Sequence, residues 1–260
     1  MSTTVQLEQI VRYLDDLLDT AQVPDYAGAL NGLQLANSGT VARIAAAVDC
    51  STRTVEAAIE EKADLLLVHH GMFWGGAQRI VGTMYDRLHA LLANDMAVYA
   101  SHLPLDRHPI VGNNALLASE LGLEPSGEFA SYKGVAIGVR GESDVETAAL
   151  VSRAEWFAKG EGGSVRVTPF ASGRKTKRWA ICTGAGASTE SLHEAQELGI
   201  DTLIVGEGPH HTAVAADEMG IAVIYAGHYA TETIGVRALA AHLADRFGVT
   251  WVFVEAPTGL

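Results

Sequence analysis

Cysteine is almost absent from this chain of 260 residues, with only Cys50 and Cys182 present. Two thiols build neither a disulfide framework nor a cysteine-based zinc site, and such sparing use suits a reducing compartment. Long apolar runs are missing as well. Asp, Glu, Gly or His interrupts every hydrophobic stretch before it reaches the length of about eighteen residues that a membrane span needs. Positive charge is scarce: 18 Lys and Arg stand against 31 Asp and Glu, for a net charge of −13. The chain therefore lacks the basic face through which proteins bind nucleic acid or a membrane surface in bulk. Its single basic cluster, Arg174-Lys175-Thr-Lys177-Arg178, reads as a solvated hairpin. Met1-Ser-Thr-Thr leads straight into an amphipathic pattern, so no signal peptide is expected and the cytoplasm is the expected compartment.

What is present is apolar substance, 48% of residues, enough for one large domain or two closely joined ones. Apolar periodicity predicts a helix over 5–19, then a strand (43–48), helix (52–62), strand (64–68), helix (82–94) and strand (97–100). The second half repeats the order: helix 143–159, strands 164–168 and 178–182, helix 188–198, strand 202–205, helix 210–219, strand 222–226 and helix 232–247. Short strands are also expected at 134–139 and 250–255, with the half that each joins left open. Such alternation specifies α/β architecture with mostly parallel sheets. It divides into a first repeat over 1–125 and a second over 126–260, packed as one unit.

The duplication extends to chemistry. Ala97-Val-Tyr-Ala-Ser-His102-Leu-Pro-Leu-Asp106 and Val223-Ile-Tyr-Ala-Gly-His228-Tyr-Ala-Thr-Glu232 both run from an apolar strand into a histidine, with a carboxylate four residues later. The strands before them are also alike, Asp64-Leu-Leu-Leu-Val-His69-His70 and Asp201-Thr-Leu-Ile-Val-Gly206-Glu207. These groups sit at the C-terminal ends of strands, where open α/β sheets hold ligands, and imidazole with carboxylate is a metal-site composition. Neighbouring His69 and His70 point to opposite faces of an extended chain, so they serve one ion only if the chain turns at Gly71; two ions resolve this. Met72-Phe73-Trp74 can wall such a pocket. Pro104 disfavours a helical turn between His102 and Asp106 and leaves that segment a loop. His228 and Glu232 open a helix and share a face. No thiolate is available, so Zn, Mn, Fe, Co and Ni all suit the donors. Glu207-Gly-Pro-His210-His211 is either an exposed helix start or a set of acid–base groups facing the same cleft. Gly184-Ala-Gly186 lets the chain turn from a strand to a helix capped at Ser188. Cys50 and Cys182 read as buried thiols at strand ends.

Taken in order, Asn31-Gly-Leu-Gln34, Val48-Asp49, Leu67-Val-His69-His70-Gly-Met-Phe-Trp74, His102-Leu-Pro-Leu-Asp106 with Gly112-Asn-Asn114, Gly206-Glu207-Gly-Pro-His210-His211 and Gly227-His228-Tyr-Ala-Thr-Glu232 cover almost the whole chain. On these motifs it resembles the dinuclear-metal, Nif-three-like family, also called GTP cyclohydrolase type 2 homologues. The resemblance implies two adjacent divalent ions bound by His69, His70, Asp106, His228 and Glu232, with Glu232 as a bridge and His102 a neighbour. It implies interlocked α/β repeats, a ring-shaped homohexamer, and the compact form without an inserted domain. Leu103 departs from the threonine that members often carry there. The family's name implies hydrolytic opening of the GTP purine ring with release of formate, in which Glu207, His210 or His211 moves protons. The competing expectation is a non-catalytic protein that stores, delivers or senses metal, or a scaffold.

Overall fold

The computed structural model describes residues 3–260. Its elements follow in the order β1 (Val5–Gln6), α1 (Leu7–Leu18), β2 (Gly32–Leu35), β3 (Thr40–Val41), β4 (Arg43–Asp49), α2 (Thr52–Glu60), β5 (Leu65–His70), α3 (Thr83–Ala93), β6 (Ala97–Ala100), α4 (Leu103–Asp106), α5 (Asn113–Glu120), β7 (Gly127–Tyr132), β8 (Val135–Glu146), α6 (Thr147–Gly160), β9 (Arg166–Val167), β10 (Lys175–Cys182), α7 (Thr189–Glu197), β11 (Thr202–Val205), α8 (His210–Glu218), β12 (Ala222–Tyr225), α9 (His228–Phe247) and β13 (Thr250–Phe253).

The chain divides into two units. One runs to Leu105 and resumes over Gly235–Ala256; the other is Asp106–Ile234 with Pro257–Leu260. This differs from halves at 1–125 and 126–260, and strand pairing explains why. β13 lies parallel to β4, with Trp251 opposite Ile44, so the C-terminal strand joins the first sheet. Leu117 and Leu121, on and just after α5, pack with Trp179 and Ile181 of β10, which ties that helix to the second.

The first unit's sheet has the order β13-β4-β5-β6-β2. Its parallel core is β4, β5 and β6, while β2 closes one edge antiparallel to β6. Period-two side-chain alternation places Ala45, Ala47, Leu66, Val68, Val98 and Ala100 in one apolar cluster with Val55 and Ala58 of α2 and Leu91 of α3. Every residue of β5 is buried, as expected of a strand covered on both faces.

In the second unit the order is β7-β8-β10-β11-β12-β9. β10, β11 and β12 form the parallel core; β8 and β9 flank it antiparallel, and β7 extends it. The succession β4-α2-β5-α3-β6 thus recurs as β10-α7-β11-α8-β12. Smaller devices recur too. Asp64 Oδ2 accepts the N–H groups of Ala42 and Arg43 at 2.7 and 2.9 Å. Asp201 Oδ2 accepts those of Lys177 and Arg178 at 3.0 and 2.9 Å. α2 and α7 both begin with reciprocal caps, Ser51 with Thr54 and Ser188 with Ser191.

Three local expectations change. The helix expected from 143 starts only at Thr147, because 143–146 continue β8, part of which pairs with β10. Arg174–Arg178 is not a hairpin, because Lys175 onward is the start of β10 and pairs with β8, from which α6 separates it in sequence. Leu103–Asp106 is a single helical turn rather than a loop, since Pro104 falls in its first turn, where the missing N–H has no partner to lose. Among the described residues, no helix is long and apolar enough to cross a membrane.

Cys50 and Cys182 are buried as expected. Burial raises Cys50 to about 11 despite nearby Arg87, and burial with the Asp106, Glu232 and Glu194 carboxylates raises Cys182 to about 12. At pH 8 about one thiol in a thousand or fewer is then a thiolate. Neither cysteine should react with a disulfide reagent on the minutes scale in the native protein, and both should react on unfolding; rapid native labelling of either contradicts this burial.

Candidate metal centre

The parallel ladder sets the first unit's histidines. Register places Asp49 opposite His70 across β4 and β5, and Asp49 Oδ1 lies 2.9 Å from His70 Nδ1. One strand further on, the β5–β6 ladder continues as Ser101 N–H to Val68 O, which brings the Ser101 carbonyl within 2.9 Å of His69 Nδ1. His102 follows directly, and its Nδ1 lies 2.9 Å from Asp25 Oδ1. The three rings gather, with centroids 4.8 to 5.5 Å apart, and one ring nitrogen of each lies within 4.8 Å of the others. All three residues are buried. His102 is therefore part of an imidazole cluster, whereas the family resemblance makes it only a neighbour.

A carboxylate clamp fixes His102. Asp25 Oδ2 accepts from Asn31 Nδ2 at 2.8 Å and from Leu103 N–H at 3.0 Å, while Asn31 Oδ1 accepts the His102 N–H at 2.8 Å. Burial raises the Asp25 carboxyl, but the hydrogen bonds and charge from His102, with Asn31 and the Tyr26 N–H, outweigh it and hold the group below the usual carboxylate range.

The second unit carries the other predicted ligands. β11 runs out through Gly206 to Glu207, whose Oε1 is 2.8 Å from His228 Nδ1. His228 starts α9, so Glu232 falls one turn along, its Oε1 3.2 Å from His228 Nε2. Burial works against the protonated ring, yet Glu232 and then Glu207 outweigh it and raise His228 to about 9. Glu232 is only 2% exposed. Gly184 makes room for it: a Cβ there would strike the Glu232 carboxylate, and its φ of +61° suits glycine. Asp106 is 6% exposed. Its Oδ1 accepts from Asn113 Nδ2 at 2.8 Å and its backbone carbonyl from Asn114 Nδ2 at 3.1 Å. Asn114 Oδ1 takes the Thr183 N–H at 2.8 Å, so the Asn113-Asn114 pair positions this acid. Glu207 is half-buried against His228, whereas His210 and His211 are exposed at the start of α8.

The donors of each unit are of the kind that suits a divalent ion. His69, His70, His102 and His228 all meet an oxygen acceptor at Nδ1. Carbonyls and ionised carboxylates only accept, so Nδ1 carries a proton and Nε2 is the ring atom left to face a metal. Buried carboxylates such as Asp106 and Glu232 need positive charge nearby. The acceptors Asp25, Asp49 and Glu207 are the functional residues for which sequence offers no geometry. Two of them stand in recognised motifs, but nothing local ties them to a histidine.

Each unit thus carries imidazoles and carboxylates of metal-ligand type at or near the C-terminal ends of parallel strands, in an α/β protein. The chain belongs to the Duf34/NIF3 (NGG1p interacting factor 3) family, whose model matches residues 5–258. It is 42% identical to a Deinococcus radiodurans protein called GTP cyclohydrolase 1 type 2 homolog, over 97% of this chain and 94% of that one. A protein of the same name from Pyrococcus abyssi is also 42% identical, over 98% and 100%. Among solved structures it resembles protein ybgI, described as of unknown function, with TM-score 0.89 and 34% identity over 98% of this chain and 100% of that one. The protein TTHA1606 from Thermus thermophilus gives TM-score 0.83 and 37% identity over 98% and 100%.

Removing an acceptor from Nδ1 should loosen metal without unfolding the chain. Asp49→Ala and Glu207→Ala should each weaken divalent-ion binding about 10- to 100-fold in a calorimetric titration, and unchanged affinity would remove their orienting role. Gly184→Ala should cost about 1–2 kcal/mol from its backbone conformation alone, seen as a lower melting temperature, and should reduce metal content further by displacing Glu232.

Proposed function

We propose that the chain is a metal-dependent hydrolase holding two divalent ions through His69, His70, Asp106, His228 and Glu232, with GTP or a related small molecule as substrate. The observation that carries this reading is the common orientation of the imidazoles, each fixed at Nδ1 by an oxygen acceptor. Fixing rings in this way is what a permanent metal centre requires. The names of the relatives from Deinococcus radiodurans and Pyrococcus abyssi support the reaction class.

When bound, divalent ions at such a centre supply acidity to water and polarise a substrate. The chain's own groups do the rest. Asp49, Asp25 and Glu207 hold imidazoles in one tautomer, and Asn113 and Thr183 hold Asp106. On this reading His210 or His211, exposed at the first turn of α8, exchanges protons with solvent, and Glu207 acts through His228. The reaction on this reading consumes two waters: one adds at C8 of the purine and opens the ring by breaking C8–N9 to leave a formamide, and the second cleaves the remaining C8–N7 bond to release formate and a free amine. Storage or delivery of metal needs ligands that exchange readily, and the burial of His69, His70 and Glu232 favours retention. The assembly proposed with this activity is a homohexameric ring.

Metal analysis and formate release from GTP test the reading together. Two ions per chain, metal-dependent formate, and loss of both in His69→Ala with His228→Ala are expected, with a native mass six times 27.4 kDa. Two ions without any turnover would move the protein to another substrate or to metal handling; absence of bound metal after loading would remove the proposal.

A further inference from the structure

Beside the imidazole cluster of the first unit stand two aromatic rings that burial does not account for. Tyr26 is 52% exposed and Trp74 39% exposed. Their neighbours in sequence behave differently: Met72 is buried and Phe73 packs against the apolar cluster under β5. Trp74 meets His102 edge-on at 4.7 Å and 77°, and His70 at 5.2 Å and 34°. Tyr26 meets Trp74 at 6.3 Å and 71°, and His102 at 6.0 Å. The two rings form a corner whose inner edge is imidazole.

The mount of this corner is rigid. Gln34 Oε1 accepts the Met72 N–H at 2.7 Å, while Gln34 Nε2 donates to the Ala29 and Leu30 carbonyls at 3.0 Å. A Cβ on Gly71 would collide with that amide, and one on Gly28 would come within 2.5 Å of the Trp74 carbonyl. Asp25 Oδ1 takes the Tyr26 N–H at 2.7 Å. Two turns are thus locked together with Tyr26 and Trp74 part-exposed, which keeps apolar ring surface in water at a cost in solvation free energy. Crossed rings at this spacing suit offset or edge stacking of a third ring, and stacking tolerates any base because every base offers a π face.

We propose that Tyr26 and Trp74 are a stacking platform for a planar heteroaromatic ring of nucleobase size, holding it beside His70 and His102. The platform deepens the hydrolase reading, on which it rests for the identity of the reacting ring, and it assigns substrate recognition to the base instead of the phosphates. Tyr26 and Trp74 are specificity residues and leave metal binding to the imidazoles and carboxylates.

The test titrates metal-loaded protein with guanosine, which has no phosphate, and separately with tripolyphosphate, following tryptophan fluorescence. Guanosine should quench and tripolyphosphate should not. Trp74→Phe should keep guanosine affinity within a few fold while losing the quench, which assigns the signal among Trp74, Trp156, Trp179 and Trp251. Trp74→Ala and Tyr26→Ala should weaken guanosine by about tenfold or more, with metal content and native mass unchanged. Unaltered guanosine affinity in Trp74→Ala, no binding of guanosine to the wild type, or quenching by tripolyphosphate alone would each overturn the platform. A changed native mass with unchanged guanosine affinity would overturn it too, making the corner a contact between copies. The two proposals fail separately. Formate release with unchanged KM in Trp74→Ala sinks the platform and spares the hydrolase; guanosine binding without formate release does the reverse.

Discussion

The register of the parallel ladder is the constraint from which the site follows. Hydrogen bonding fixes β4 against β5 so that Asp49 and His70 stand side by side, and it fixes β5 against β6 so that the chain leaving β6 lays its carbonyl on His69. A slip of one residue would turn every side chain of a strand to the other face, taking His69 and His70 from their acceptors at once. That register is secured far from the histidines, by the apolar interior of β5 and by the Asp64 carboxylate gripping two N–H groups at the start of β4. Core packing and the placing of the histidines are therefore parts of one arrangement, with the apolar strand bodies holding the polar strand ends.

The second unit reaches the same result by other means. His102 and His228 occupy matching places in the two repeats, and each has a carboxylate at Nδ1. The carboxylates do not match. Asp25 comes from the loop before β2, whereas Glu207 comes from the end of β11. What is duplicated is the requirement, an oxygen acceptor behind each ring, and the chain meets it with whichever segment passes nearby. Such independent solutions suggest that ring orientation is the property under physical constraint, since the scaffold alone would have repeated the acid as well.

Much of this is legible in the sequence, and the limits have physical causes. The parallel core strands and the helices between them announce themselves through apolar periodicity, and β6 and β11 fall to the residue where that periodicity puts them. The edge elements escape it. β1, β2 and β3 are short and stand in polar or glycine-containing stretches, so their existence depends on partners distant in sequence. The helix α5 escapes it because its asparagines, Asn113 and Asn114, read as loop residues until Asp106 and Thr183 are in place to satisfy them. Histidines at strand ends are visible in the sequence as candidate donors. Their acceptors are not, because an aspartate in a loop is indistinguishable from a solvated one until the chain folds back over it.

Gln34 makes a different kind of demand. Its amide is read at both ends, with the oxygen taking an N–H and the nitrogen giving to two carbonyls. Glutamate has the same shape and would fit the space, but it would set a negative oxygen against the Ala29 and Leu30 carbonyls, turning attraction into repulsion. Asparagine has the right polarity and lacks the reach. This position therefore distinguishes among side chains by the placement of a single nitrogen, and the slow hydrolysis of that amide as a protein ages would be enough to unfasten the turn that carries Trp74.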